Sequence, residues 1–313
     1  MAEELGTPVI EETVVKPAGD AGLPAAIAAL VEGASVELMP RDKAAVDRCI
    51  EKAVPGSEVF IARVPGDMHG ATVATATLLK NAGFDPIPHV GARYFENEAA
   101  LDDTVARLVG EAGVTKVLCI AGDLDRPAGP FQASTDVIAT GIFARHGVRR
   151  VGIAGYPEGH AKITPPVLAD HMAKKLALLE EQRIPALIVS QFCFEAAPIV
   201  DFIARVRERG VTAPIRVGLA GPASVTTLAR FALRCGVGNS MRALTSGRGV
   251  TRLLTEAGPE QVVADLARAG LELERLHFYT FGGVSKAADW LNAVRAGNFV
   301  LTRDGSGFRI RRD

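Results

Sequence analysis

Several apolar runs of this chain end in side chains that could carry acid–base or binding chemistry. The run at residues 151–155 is followed by a phenol, a carboxylate and an imidazole, Tyr156, Glu158 and His160. A turn needs only the Pro and Gly between them, so these three side chains are either surface residues or the rim of a site. Other apolar runs also contain or end in polar residues: Glu37, His89, Asp123, Gln191, His277, Tyr279 and Thr280.

Each of these residues also has an ordinary structural explanation. Asp123 could cap the turn that follows it, and Gln191 could be a hydrogen-bonded amide of the core. His277 could be an inert core histidine, and Glu37 could face the start of the following helix. A carboxylate inside an apolar run is nevertheless costly to bury unless it is paired or functional. The acids Glu37 and Asp123 and the amide of Gln191 together predict a single pocket.

The elements that would position these residues alternate along the chain. Strand-length runs alternate with amphipathic helical patterns, and several runs are apolar throughout, which is typical of parallel strands buried on both faces. Eight such units predict an α/β fold, a (β/α)8 TIM barrel. An open doubly wound sheet is the alternative, but no glycine-rich turn follows the first strand. The predicted strands are residues 35–40, 58–64, 85–90, 116–122, 150–156, 186–192, 215–221 and 275–281.

The polar residues fall at the C-terminal ends of the predicted strands, where barrels of this kind carry their chemistry. We expect a single catalytic barrel at residues 31–297. Residues 1–30 have little pattern and predict a partly flexible N-terminal arm, and residues 298–313 predict a short C-terminal tail.

The composition argues against several classes of protein. With 35 basic and 36 acidic residues, the net charge of −1 gives no reason to expect nucleic acid or an anionic membrane as a partner. No apolar run approaches the roughly 20 residues of a membrane span, and the acidic N-terminus does not resemble a signal peptide. The four cysteines are widely spaced and predict buried free thiols, so we expect a cytoplasmic protein. Neither a metal site nor a Ser or Cys nucleophile is predicted, because no close ligand pairs and no elbow motif are visible.

Five blocks of the sequence resemble the methylenetetrahydrofolate reductase family. They are "VELMPRD" at the first strand, "CIAGDLDRP" at the fourth, "GYPEGH" at the fifth, "SQFCFE" at the sixth and "LHFYT" at the eighth. The blocks follow the order of the family and span residues 35–281. The resemblance implies a (β/α)8 barrel that binds FAD without a Rossmann motif, which agrees with the missing glycine fingerprint.

The resemblance also implies an activity and roles for residues. The expected reaction reduces 5,10-methylenetetrahydrofolate to 5-methyltetrahydrofolate with NAD(P)H, by ping-pong hydride transfer through FAD, within one-carbon metabolism and methionine biosynthesis. Glu37 would act in proton transfer, and Asp123 would lie near the flavin and help to bind the pterin. Gln191 and Phe231 would contact the folate, and Tyr279 would border the same face. The FAD site would be lined by His89, Gly122, Asp123, Ala133, Tyr156, His160 and Asp170.

The chain departs from the family pattern at several cofactor contacts. Ala121 stands where the family has an arginine before Gly-Asp, and "YTFGGVSK" lacks the arginine that follows the eighth strand. Lys174 and Lys175 are the candidates to hold the FAD phosphates. These departures keep two alternatives open: methyltetrahydrofolate oxidation in a one-carbon or demethylation pathway, and a folate-binding barrel without flavin turnover. The sequence does not determine whether NADH or NADPH is the donor, and it leaves a homo-oligomer open.

Overall fold

The computed structural model of the chain describes residues 13–14, 22–63, 66, 69–237 and 256–311. Most of the predicted N-terminal arm, at residues 1–12 and 15–21, therefore lies outside the described residues. In the part of the chain that is described, no helix is long and apolar enough to cross a membrane.

Eight parallel strands close into a barrel in which each strand pairs with the next along the chain and the last pairs with the first. The TIM-barrel prediction is confirmed. Each strand begins at its predicted residue, and seven end one to three residues early, where polar or glycine-containing turns begin. The strands are β1 Ser35–Leu38, β2 Glu58–Ile61, β3 Asp85–Gly91, β4 Lys116–Ile120, β5 Arg150–Gly155, β6 Ala186–Ser190, β7 Ile215–Ala220 and β8 Arg275–Tyr279.

Helices surround the barrel, and capping residues mark where several of them begin or end. Asp42 and Asn97 each accept a hydrogen bond from the backbone of the first turn of the helices Lys43–Lys52 and Glu98–Gly110, and Gly270 ends the helix Glu260–Ala269 in the left-handed conformation. The helices are α1 Leu23–Val31, α2 Lys43–Lys52, α3 His69–Asn81, α4 Glu98–Gly110, α5 Ser134–Ala139, α6 Ile142–Arg145, α7 Pro165–Glu181, α8 Ala196–Glu208, α9 Val225–Cys235, α10 Glu260–Ala269 and α11 Val284–Arg295.

Two apolar layers hold the barrel together. The larger layer lies between the strands and the surrounding helices, and it includes Val36, Val117 and Phe278. A smaller cluster contains Phe60, Ile87, Leu118, Leu187 and Val189. Strand residues therefore pack on both sides of the sheet, which is why their sequence runs are nearly continuous in apolar residues.

Charged residues occupy the N-terminal end of the barrel. Arg216 of β7 is fully buried and lies 2.5 Å from Oε2 of Glu58 and 2.7 Å from Oε2 of Glu274. Lys116 of β4 bonds the same Glu58, and Arg150 of β5 lies 3.6 Å from Glu274. This cluster, the ionic plug, is fully paired by opposite charges, as buried charges must be. The opposite, C-terminal end of the barrel, where the strands lead to Glu37, His89, Asp123, Tyr156 and Tyr279, is called the mouth below.

The predicted C-terminal tail forms a hairpin of strands Phe299–Leu301 and Phe308–Ile310. Phe308 is buried between the ring of Trp290 on α11, at 5.9 Å between centroids, and that of Phe299, at 4.8 Å. The hairpin is therefore packed against the helical layer.

Candidate active site

Three titratable side chains meet inside the mouth, on β1, β3 and β8. Oε2 of Glu37 lies 3.4 Å from Nε2 of His89 and 4.0 Å from Nε2 of His277. The register that closes the barrel creates this meeting, because β8 pairs with β1 at His277 and Ser35. The side chain of Glu37 is 19% exposed, whereas both histidine rings are buried. Glu37 is therefore the least buried of the three side chains.

Burial sets the protonation states of this cluster. It raises the pKa of Glu37 to about 8 and lowers the pKa of His89 to about 4. The pKa of His277 lies well below its usual value, first because of burial and second because of the positive charge of Arg216. At neutral pH Glu37 is therefore mostly a neutral carboxyl between two neutral imidazoles. A neutral carboxyl of this kind is suited to donate a proton near pH 7.

The ring of Phe60 on β2 gives this cluster an apolar side. Its centroid lies 4.3 Å from that of His277 and 6.1 Å from that of His89. The Nε2 atoms of both histidines are buried without a hydrogen-bond partner. Apolar surroundings disfavour charge, which explains why the pKa shifts of the acid and the two bases all favour the neutral forms.

The turn after β4 presents the predicted Gly122 and Asp123. Gly122 has φ +88°, a conformation that suits glycine, and a Cβ there would come within 2.9 Å of the ring of Tyr94. The hydroxyl of Tyr94 donates to Asp123, whose other carboxylate oxygen lies 2.8 Å from Arg234. Burial and the Asp123 carboxylate raise the pKa of Tyr94. Asp123 is thus an ion-paired rim residue, 47% exposed.

The turn after β5 places Tyr156 beside His160, with ring centroids 5.2 Å apart and the rings nearly perpendicular. Nδ1 of His160 accepts a hydrogen bond from the backbone of Lys162 at 3.1 Å, which fixes the ring. Burial raises the pKa of Tyr156 and lowers that of His160, so both are neutral at pH 7. The two rings form a polar but uncharged edge.

An aromatic wall lines the side of the mouth formed by β6, β8 and α9. The hydroxyl of Tyr279 donates to the backbone of Ser190 at 3.0 Å, and the Gln191 side chain accepts from the backbone of Phe192 at 3.1 Å. Three phenylalanines complete the wall, with centroids 4.6 to 5.6 Å from their neighbours: Phe192, Phe231 and Phe281. A wall of this kind suits a flat conjugated ligand.

Cys235, at the end of α9, lies among these groups. Burial raises the pKa of its thiol; the positive charge of Arg234 opposes this increase, and the negative charges of Glu37 and Asp123 add to it. The pKa of Tyr279 is likewise raised by burial and then by Glu37, Cys235 and Tyr156. The ring of Tyr279 also lies 4.7 Å from that of His277, which joins the aromatic wall to the Glu37 cluster.

Two predicted residues lie farther out. Ala133 precedes α5, and its backbone donates to Asp136 at 2.9 Å. Asp170 lies on the exposed surface of α7 and pairs with Lys174 at 2.7 Å. Lys175 is buried instead, where burial lowers the pKa of its amine. Of the two lysines considered for the phosphates, Lys174 is therefore the exposed one.

Two residues of the mouth were not predicted from the sequence. Tyr94 lies in a short 3-10 helix, Ala92–Tyr94, directly after β3, and it covers Gly122. Arg63 follows β2 and is buried with its guanidinium 4.8 Å from the centroid of the Tyr94 ring. A basic residue at the end of a predicted strand was a visible signal for Arg63. Among the described residues, no group of three His, Cys, Asp or Glu side chains could hold a metal ion.

Comparison with solved structures finds other barrels at low identity. A dihydropteroate synthase of Thermus thermophilus is 14% identical over 84% of this chain and 92% of that chain, with a TM-score of 0.45. A xylose isomerase domain protein of Planctomyces limnophilus is 12% identical over 84% of this chain and 96% of that chain, with a TM-score of 0.41. At these values the two structures carry no argument about function.

Comparison with family models is decisive. The model described as methylenetetrahydrofolate reductase matches residues 56–288. The match covers β2 to β8 and all the predicted site residues except Glu37, whose strand completes the same closed barrel. This chain belongs to the methylenetetrahydrofolate reductase family.

Proposed function

We propose that this protein reduces 5,10-methylenetetrahydrofolate to 5-methyltetrahydrofolate, with NAD(P)H as electron donor and FAD as cofactor. Membership of the family supports the folate substrate and the reductase class. The observation that carries the proposal is the position of the Glu37 carboxyl, partly exposed between His89 and His277, where burial raises its pKa to about 8. Reduction of this folate needs a proton donor that is still protonated near pH 7.

Two features of the mouth would suit FAD. The Nε2 atom of His89 is a buried polar group without a hydrogen-bond partner, and exposed lysines are available for the phosphates. For the phosphates, Lys162 and Lys174 are the candidates, since both are exposed and each pairs with a surface carboxylate. Exposed pairs are weak, so a diphosphate can replace these carboxylates. When bound, FAD supplies a hydride carrier between NAD(P)H and the folate.

The residues of the mouth have separate roles in the proposed reaction. Glu37 donates its proton to N10 of the folate imidazolidine ring, the bond from the methylene carbon to N10 breaks, and an N5 iminium remains to receive the hydride. The aromatic wall holds the flat pterin, and Gln191 supplies an amide for hydrogen bonding to it. Asp123, held by Tyr94 and Arg234, offers a carboxylate oxygen to the pterin N–H groups.

Anaerobic spectroscopy tests the proposal. Purified protein is supplemented with FAD and mixed with NADH or NADPH, and the flavin absorbance is followed; methylenetetrahydrofolate is then added. We expect bleaching with at least one donor and recovery of the absorbance when the folate is added, together with formation of 5-methyltetrahydrofolate.

The outcomes separate the candidate functions. Absence of flavin binding, or of bleaching with either donor, would contradict the flavin-dependent reductase. Folate binding without any flavin turnover would instead support a binding barrel. A faster reaction from 5-methyltetrahydrofolate to methylenetetrahydrofolate would support oxidation as the working direction.

A further inference from the structure

A chain of buried polar groups runs from the ionic plug to Glu37. Nη1 of Arg216 donates to Oγ of Ser35 at 3.4 Å, and Oγ of Ser35 lies 3.0 Å from Nδ1 of His277. Nε2 of the same histidine faces Oε2 of Glu37 at 4.0 Å. Arg216, Ser35 and His277 are all fully buried. This series of polar side chains therefore links the charged end of the barrel to the mouth through the barrel interior.

The distances along this series of contacts favour one tautomer of His277. A guanidinium can only donate, so the hydroxyl of Ser35 accepts from Arg216 and has its own proton free to donate. Its alternative acceptor, the backbone oxygen of Leu276, is more distant at 3.5 Å. The hydroxyl has one proton for two acceptors, and because Nδ1 of His277 is the nearer of them, at 3.0 Å, we assign the proton to that contact. Because the ring is neutral, its single proton lies on Nε2, the nitrogen that faces Glu37.

That N–H has no partner while Glu37 is a neutral acid. Once Glu37 has given up its proton, its carboxylate is buried in largely apolar surroundings. A hydrogen-bond donor would then stabilise this charge. A hydrogen bond to Nε2 would require the Glu37 carboxylate to move about 1 Å closer than its present 4.0 Å. The donor thus stabilises the state after proton transfer more than the state before it, which is the difference that accelerates a reaction.

We propose that Ser35 and His277 are positioning residues that hold an imidazole N–H ready for the carboxylate that Glu37 becomes on protonating the substrate. The proposal rests on the proposed function for the role of Glu37 as acid. Arg216 orients the chain from the plug, and His89 faces the same carboxyl from β3 at 3.4 Å. Three further titratable groups interact electrostatically with His277 or Glu37: Glu58, Tyr279 and Cys235.

A matched pair of variants tests the donor. His277→Gln keeps an N–H at a similar reach, whereas His277→Met has a similar length and no donor. A hydrogen bond to a charged group changes an equilibrium constant about 10-fold to 100-fold. We expect His277→Met to lower kcat at least about 10-fold and to move the alkaline limb of the pH profile up by about one unit. His277→Gln should stay within about 3-fold of the wild type, with the limb unmoved.

Equal loss of activity in both variants, with the alkaline limb unmoved, would show that the ring only fills space. Ring-nitrogen NMR of 15N-histidine-labelled wild-type protein gives a second readout that needs no variant. We expect the neutral tautomer with the proton on Nε2 at His277, and a mixture of tautomers in Ser35→Ala. A proton on Nδ1 in the wild type would overturn the proposal. This readout needs no turnover. An Nε2 proton in a protein without reductase activity would therefore support the hydrogen bonds from Arg216 through Ser35 to His277 and would reject the proposed function instead.

Discussion

At the scale of single residues, the site depends on a glycine as much as on its acids. Gly122 and Gly83 have the same left-handed backbone, with φ +88° and +86°, but only a Cβ at Gly122 would meet a neighbouring side chain, Tyr94. The ring of Tyr94 in turn holds Asp123. The two glycines therefore separate the effect of backbone strain from the effect on the site.

Gly122→Ala and Gly83→Ala should both destabilise the protein by about 1 kcal/mol, because alanine is strained at positive φ. Only Gly122→Ala should also weaken binding of flavin and folate, since the new methyl group displaces Tyr94 and releases Asp123. Urea unfolding and ligand titration measure the two effects. Equal binding by both variants would show that the β4 turn does not contribute to the site.

At the scale of elements, the two ends of the strands differ in electrostatics: one end carries paired charges and the other carries neutral titratable groups. Arg216, Glu58 and Glu274 are the charged plug at the N-terminal end, while burial keeps Glu37, His89 and His277 uncharged at the mouth. The two sets of residues differ in charge state because the plug residues have oppositely charged side chains within reach, whereas Glu37, His89 and His277 do not. Stability therefore depends mainly on one end of the strands and chemistry on the other, and the contacts of Arg216, Ser35 and His277 join the two ends.

Removing the central cation of the plug should be strongly destabilising. Arg216→Met leaves the carboxylates of Glu58 and Glu274 buried without their main counterion, which costs about 3–5 kcal/mol. Arg107→Met is the matched control, because Arg107 pairs with Glu111 on the exposed face of α4, and it should cost less than about 1 kcal/mol. Denaturant unfolding measures both. Equal losses would contradict the structural role of the plug.

The plug also predicts how stability depends on pH. Burial alone would raise the pKa of Glu58, but Arg216 and Lys116 outweigh it and lower the pKa to about 2. A depressed pKa gives stability that is present above the unfolded value of about 4.3 and is lost as the pH falls toward 2. Unfolding free energies between pH 6 and pH 2 should therefore fall more steeply for the wild type than for Glu58→Gln. Parallel curves would be evidence against this pairing.

At the scale of the whole molecule, the C-terminal hairpin completes the helical layer of the barrel. Phe308 packs between Phe299 and Trp290, which is the single tryptophan of the chain. Phe308→Ala should cost about 3–5 kcal/mol and shift the tryptophan emission to the red as water reaches the indole. Val300→Ala, on the exposed face of the same hairpin, should change stability by less than about 0.5 kcal/mol. Unchanged emission in Phe308→Ala would contradict the packing.

The sequence predicts the architecture better than it predicts the contacts. All eight strands are visible as apolar runs, because a strand buried on both faces leaves a local signature. Arg216 and Glu58 meet across the barrel although they lie far apart in sequence, and no local pattern reports such a pairing. The approach of His277 to Glu37 likewise depends on the register of β8 against β1. Tyr94 was missed because a 3-10 turn, not a strand end, carries it into the mouth.

The most direct test of the central claim compares wild-type protein with Glu37→Gln and with the surface control Glu98→Gln. With FAD and NAD(P)H supplied, formation of 5-methyltetrahydrofolate from methylenetetrahydrofolate is measured between pH 6 and pH 9.5. The wild type and Glu98→Gln should form product, with rates that fall above about pH 8 as Glu37 ionises. Glu37→Gln should bind folate normally but lose at least about 100-fold in rate, the contribution of a general acid. Product formation by Glu37→Gln at the wild-type rate would contradict the account.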